Sequence, residues 1–235
     1  VDEHCDMADI VSTLVDLAAR GYLVIEELES EKFLFFSSKD YRFIRQHPEH
    51  DPAQHPLEAH ESKFLKGLFA LGDRVTLSSL KERFYTHLPG IRDDIYQSLT
   101  HKNLFVSNPE TTRQVYYGAG IATIIVAFVV GIFSAGFGMI AWGIGLGLSG
   151  ALIWLSARAM PAKTREGSLA LRQCLGFQRY VKTAEKRRIE VLAKEDPTIF
   201  GRLLPYAMVL GVADQWADAF KDLLTEPPDW YRMPY

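Results

Sequence analysis

Residues 116–157 read YYGAGIATIIVAFVVGIFSAGFGMIAWGIGLGLSGALIWLSA, and positions 114–157 hold no Lys, Arg, Asp or Glu. A hydrocarbon core of ~30 Å takes about 20 apolar residues per helical crossing, so a run of roughly forty implies two crossings. The stretch therefore reads as a transmembrane helical hairpin over 116–156. Ser134, Gly136 and Gly138 interrupt the branched aliphatics and put the turn there, between spans at 116–133 and 139–156. Tyr116, Tyr117 and Trp154 stand at the outer ends, where amphipathic rings suit the headgroup level. More than half of the chain's 17 glycines lie in this stretch. The spacing Gly143 to Gly147 is a small-xxx-small pattern that lets helix backbones approach in lipid, most simply one span against the other.

Charge orients the hairpin. Arg113 precedes it, and 158–194 carries ten basic side chains against three acidic ones, Glu166, Glu185 and Glu190. Basic flanks stay on the cytoplasmic side, so both ends, and with them most of the chain, are expected there. The first partner is thus the lipid bilayer, through 116–156. Anionic headgroups are a second candidate partner, through the basic face running from Arg158 to Lys194, weighed evenly against an ordinary solvated face.

The 235 residues have room for one or two modest domains besides the hairpin. A net charge of −3 hides an acidic front: residues 1–57 carry twelve acidic and five basic side chains. Such a front is a poor surface for nucleic acid, which rewards Lys and Arg for displacing counterions. Two distant cysteines make no disulfide framework and suit a reducing compartment. The chain starts at Val1, acidic and without a signal peptide, and reads as a piece of a longer protein.

The expected fold is mainly α: the hairpin, small α+β, winged-helix-like cytoplasmic modules, and a C-terminal helical pair. The first module, 1–45, is a helix over 7–22 ended by Gly21, then a β-hairpin from strands at 23–26 and 32–36. A linker rich in Pro and His follows at 46–56. The second module, 57–112, runs helix 57–71, a short strand at 75–77, a helix from Ser78 or Ser79 through Leu88, a turn at Pro89-Gly90, a helix 91–102 and a return strand at 104–107. Region 160–225 is a long basic helix, 166–194, and a last helix over 199–224 for which Pro205 suits the start. Residues 226–235 form an aromatic tail, most simply a strap over an apolar groove.

Few residues suggest chemistry. His47, His50 and His55 in the linker, with His60 and Glu61 just beyond, are of zinc-ligating types, but prolines interrupt them and nothing in sequence makes them converge. No metal or other cofactor is expected. No phosphate loop, nucleophile elbow, His-Glu-x-x-His or Cys pair is present, so catalysis is not expected. The helix 91–102 sets Arg92 and Lys102 beside Asp93 and Asp94, which leaves nucleic acid an unlikely partner.

Several separated motifs resemble one family. They are VDLAARGYLVIEE at 15–27, His60-Glu61 opening a helix, the paired spans, Met160 with Pro161, Thr164-x-Glu-Gly167, Gly176-Phe-x-x-Tyr180, and Leu204-Pro-Tyr-Ala-x-x-Leu-Gly211 with Trp216 and Phe220. Together they look like the C-terminal region of the YciQ-like predicted bacterial membrane proteins. The resemblance implies a multi-pass inner-membrane protein with this region in the cytoplasm, preceded in the family by an exported domain and an earlier span. It implies no activity and supplies no catalytic residues. The leading expectation is a non-enzymatic scaffold or signal-linking module, with a protein or the family's exported domain as partner. The alternatives are a membrane-tethered winged-helix regulator that binds DNA and a metal enzyme using the His-rich linker.

Overall fold

The computed structural model describes residues 5–28, 40–47, 56–80, 83–135, 140–183, 186–196, 198–221, 223 and 227–233. Asp6 starts α1 (Met7–Ala19): its carboxylate accepts from the Ala8 and Asp9 amides, and Asp9 accepts from the Asp6 amide in return. Gly21, at φ 81°, closes the helix as expected, with Tyr22 N–H on the Leu17 carbonyl and Gly21 N–H on Ala18. β1 (Leu23–Leu28) follows. Its antiparallel partner is β2 (Asp40–Arg45), in a register running from Leu23 opposite Arg45 to Leu28 opposite Asp40. The strand expected at 32–36 lies outside the described residues, so the pairing strand is further along the chain.

α2 (Ala59–Leu68) is shorter than the expected 57–71, and Gly72, at φ 133°, turns the chain into β3 (Arg74–Thr76), which pairs antiparallel with β2. The helix expected from Ser78 or Ser79 to Leu88 is instead a single turn, α3 (Leu77–Leu80), and a 3-10 turn at Phe84–Thr86. At the start of α3, Ser78 bonds Asp40 through its amide and hydroxyl, and the Ser79 hydroxyl bonds the Thr76 carbonyl, while 81–82 lie outside the described residues. α4 (Leu88–His101) takes Pro89 into its first turn, where a missing N–H costs nothing. The return strand expected at 104–107 reduces to one bridge, Phe105 to Lys163.

α5 (Pro109–Ala135) begins well before the expected span. The Asn108 side chain accepts from the Glu110 and Thr111 amides, and Pro109 fills the first helical position. α6 (Ile140–Ser156) returns along it and ends in a 3-10 turn, Ala157–Ala159. Of the turn expected at 134–138, residues 136–138 lie outside the described residues.

The last region holds α7 (Arg165–Thr183) and α8 (Lys186–Glu195), on either side of 184–185, which lie outside the described residues, and then two helices where one was expected, α9 (Ile199–Val209) and α10 (Ala213–Phe220). Gly211, at φ 64°, splits the last stretch through the same left-handed closure as Gly21, with Val212 N–H on the Ala207 carbonyl. Pro205 lies inside α9 rather than at its start, where its ring cannot bond the Gly201 carbonyl. β4 (Tyr231–Arg232) pairs parallel with β1, which completes a sheet of order β3-β2-β1-β4.

The chain forms two compact units. One comprises 1–95 with 172–235. Leu17, Leu23, Phe64 and Ile91 fill one core beneath the sheet, and Leu23, Val24 and Ile25 are buried in succession, as on a strand covered on both faces. Trp216, 1% exposed, centres a second core with Phe177 and Phe220 at ring distances of 6.0 and 4.7 Å. α9 packs on α1 and joins the two. The other unit is 96–171, the hairpin with its base.

Cys5, at the start of α1, offers a pH test. Burial first, then Asp9 and Asp6, push its thiol up from 9.0 to about 11, with Arg92 pulling the other way. The folded state thus favours the neutral thiol, a preference complete below pH 9 and lost as pH climbs through about 11. With Cys174 replaced by serine, iodoacetamide should modify folded Cys5 at pH 8 roughly a hundredfold more slowly than the denatured chain. Equal rates would remove the burial argument.

Candidate functional site

The residues of metal-ligating type form no metal-holding cluster among the described residues. His47 is exposed just beyond β2, and His50 and His55 lie outside the described residues. His60 is half-buried on α2, with Nδ1 3.6 Å from Glu58. Glu61, 8% exposed, already uses both oxygens: one accepts from Arg20 at 2.6 Å and the other from the Glu58 amide at 2.9 Å. No group of three or more His, Cys, Asp or Glu suited to a metal occurs among the described residues.

The Arg20–Glu61 pair joins α1 to α2 across 41 residues of sequence, and Asp16 takes the same guanidinium nitrogen at 2.9 Å. Burial acts to lower the Arg20 pKa, and the bonds to Glu61 and Asp16 override it and raise it. Glu61→Ala leaves Arg20 charged and poorly matched. Its side chain is a quarter exposed, so the expected loss in a thermal or urea melt is about 2 kcal/mol rather than the full cost of a buried ion. Arg20→Ala added to Glu61→Ala should cost little more, and fully additive losses would count against the pairing. The Asp16/Arg20 spacing is legible in sequence as an i,i+4 pair, but nothing local points to Glu61.

The exceptional surface of the molecule is the hairpin. Phe128, Phe133 and Trp142 are 70%, 74% and 69% exposed, beside Ile125, Leu148 and Leu152. Both helices are long and apolar enough to cross a membrane, and little of either is buried. A core helix would be covered, and water does not tolerate so continuous an apolar face, so hydrocarbon is the solvent these side chains match. Between the helices, glycine does the packing. A Cβ on Gly143 would lie 2.6 Å from the Gly131 Cα, and one on Gly150 would lie 2.8 Å from Ile124. Where the glycines draw back they leave an apolar groove of about 480 Å³, lined by Ala127, Phe128, Gly131, Gly143 and Gly147 among others.

At the open end the chain is tied across itself. Val106 N–H bonds the Ala162 carbonyl, Thr164 N–H bonds Leu104, and the Thr164 hydroxyl reaches the Asn103 carbonyl at 2.6 Å. Gly167 is packed against the Leu104 carbonyl, leaving no room for a Cβ. Thr164 and Gly167, half of a motif singled out in the sequence, thus fasten the base of the hairpin. The Tyr117 and Trp154 rings meet just above in a tilted contact, 5.8 Å apart.

Residues 2–220 match the family model described as "Predicted membrane protein (DUF2207) C-terminal domain". No curated protein and no solved structure matches the chain.

Proposed function

Because the chain belongs over residues 2–220 to the DUF2207 C-terminal-domain family of predicted membrane proteins, we propose that it is a bacterial inner-membrane scaffold or signal-linking module. Its unit of residues 1–95 and 172–235 stands in the cytoplasm and engages a protein partner without catalysing a reaction. One observation carries the reading. That unit is built from sequence on both sides of the hairpin: β4 pairs with β1, and α9 packs on α1. A unit made of segments that flank the spans folds only if the spans return the chain to the side it left. Two crossings do so, and the excess of Lys and Arg over 158–194 favours the cytoplasm as that side.

The test is purification from the native membrane in mild detergent, with mass spectrometry of what is retained, alongside maleimide labelling of Cys174 in intact cells. The expected result is a stoichiometric protein partner and no labelling by an impermeant reagent until lysis. Labelling without lysis overturns the orientation. A chain that emerges with stoichiometric zinc, or shifts with duplex DNA in a salt-dependent way, replaces the scaffold reading with one of its alternatives.

A further inference from the structure

We propose that the open end of the hairpin is a binding site for an anionic phospholipid headgroup, whose phosphate is held by Arg158 and Arg165. The inference rests on the membrane reading above but not on which side the base faces. The unit 96–171 carries five Lys or Arg against two acids, and all seven lie outside the apolar run, at its base. Arg113 stands one helical turn before Tyr117, and Arg158 one turn beyond Trp154, the ring pair that marks the headgroup level. Two of these cations have structural duties: Arg113 is buried beside Glu110, and Lys163 lies over the Phe105 ring at 5.5 Å. Arg158 and Arg165 do not. Both are exposed, and neither makes an ion pair among the described residues.

The segment between them is fixed. Ala162 and Thr164 are bonded to residues 103–106, so the backbone between the two exposed arginines is a tied segment rather than a loose loop. A guanidinium fork matches two phosphate oxygens, and the phosphates of anionic lipids lie at the depth set by the aromatic pair. Free phosphate offers the same oxygens. A lipid also lays its acyl chains along the exposed Ile121 and Ile125, so the headgroup is the better occupant.

The experiment uses the full chain in mild detergent, loaded with phosphatidylglycerol or phosphatidylcholine and read by native mass spectrometry. Retention of phosphatidylglycerol should exceed that of phosphatidylcholine and fall roughly fivefold for each charge removed in Arg158→Gln and Arg165→Gln. Lys182→Gln, exposed and seventeen residues along α7 from Arg165, should leave retention unchanged. Equal retention of the two lipids overturns the site, as does a preference that survives the double variant. An equal loss in Lys182→Gln replaces the site with diffuse attraction. Displacement of the lipid by millimolar inorganic phosphate reassigns it to the free anion. Failure of the membrane reading looks different, because the chain then enters vesicles of neither lipid.

Discussion

Deleting residues 200–235 is expected to unfold the 57–95 region, although the deleted segment is separated from it by the whole hairpin. The deletion takes away α9, which packs on α1, and α10, whose Trp216 and Phe220 centre the second core. It also takes β4. The Ile25 amide loses its bond to the Trp230 carbonyl at 2.8 Å, and Glu27 loses the Tyr231 hydroxyl at 2.6 Å. Burial and that carboxylate both raise the Tyr231 pKa, so the phenol donates to Glu27 throughout the accessible pH range. Trp230 fills the place a side chain on Gly201 would occupy, with Ala19 alongside. So many buried contacts amount to much of the ~5–15 kcal/mol that a domain has in total. Limited proteolysis in detergent should therefore cut 57–95 freely in the deletion and spare it in the full chain. A milder cut after Leu223, which removes the strap and keeps α9 and α10, should cost about 2–3 kcal/mol, below the ~3–5 kcal/mol of a fully buried tryptophan because Trp230 and Tyr231 are only partly buried. Unchanged resistance of 57–95 in both chains would mean that the two segments fold independently.

Periodicity and closure chemistry made much of this legible. The apolar run foretold two helices long and apolar enough to cross a membrane, since no soluble element needs roughly forty uncharged residues. Gly21 gave the end of α1 because a left-handed C′ position is a local demand. Gly211 makes the same demand, yet the apolar repeat through Val209, Leu210 and Ala213 continues across it and hides the break between α9 and α10. The return strand expected at 104–107 failed for a non-local reason. Asn103, at φ 56°, closes α4, and the Leu104 carbonyl then goes to Thr164, sixty residues on and beyond the hairpin. β3 likewise finds its partner in β2, from the other side of the Pro/His linker. Of the candidate ligands, Glu61 is spoken for by Arg20, a pairing that depends on how α1 meets α2 and leaves no trace in the spacing. Local signals name the elements, and the pairings that close across long gaps decide what each polar side chain does.

Gly143→Ile should separate the two membrane helices, while Gly145→Ile, two residues along the same helix, should leave them paired. A Cβ at Gly143 meets backbone on every side: the Gly131 Cα at 2.6 Å, its nitrogen at 3.0 Å and the Ala127 carbonyl at 3.2 Å. No rotamer relieves a clash with backbone, so α5 and α6 must move apart and give up the close approach that packs them in lipid. The expected cost exceeds ~3 kcal/mol, above the usual overpacking range because neither partner is a side chain that can yield. At Gly145 a Cβ meets nothing within 4 Å, and its face is the one offered to hydrocarbon. There isoleucine adds lipid contact and removes a glycine from a helix, so stability should hold or rise. The readout is the thermal midpoint of the purified chain in detergent, with cysteines placed at Ala127 and Gly147, whose Cβ positions lie 3.7 Å apart, to report helix proximity by disulfide formation. The cysteine pair should cross-link in the parent and in Gly145→Ile, and fail in Gly143→Ile. Equal behaviour of the two variants would mean that the glycines serve insertion or turning rather than a packed seam, and the close Gly131–Gly143 approach would lose its role.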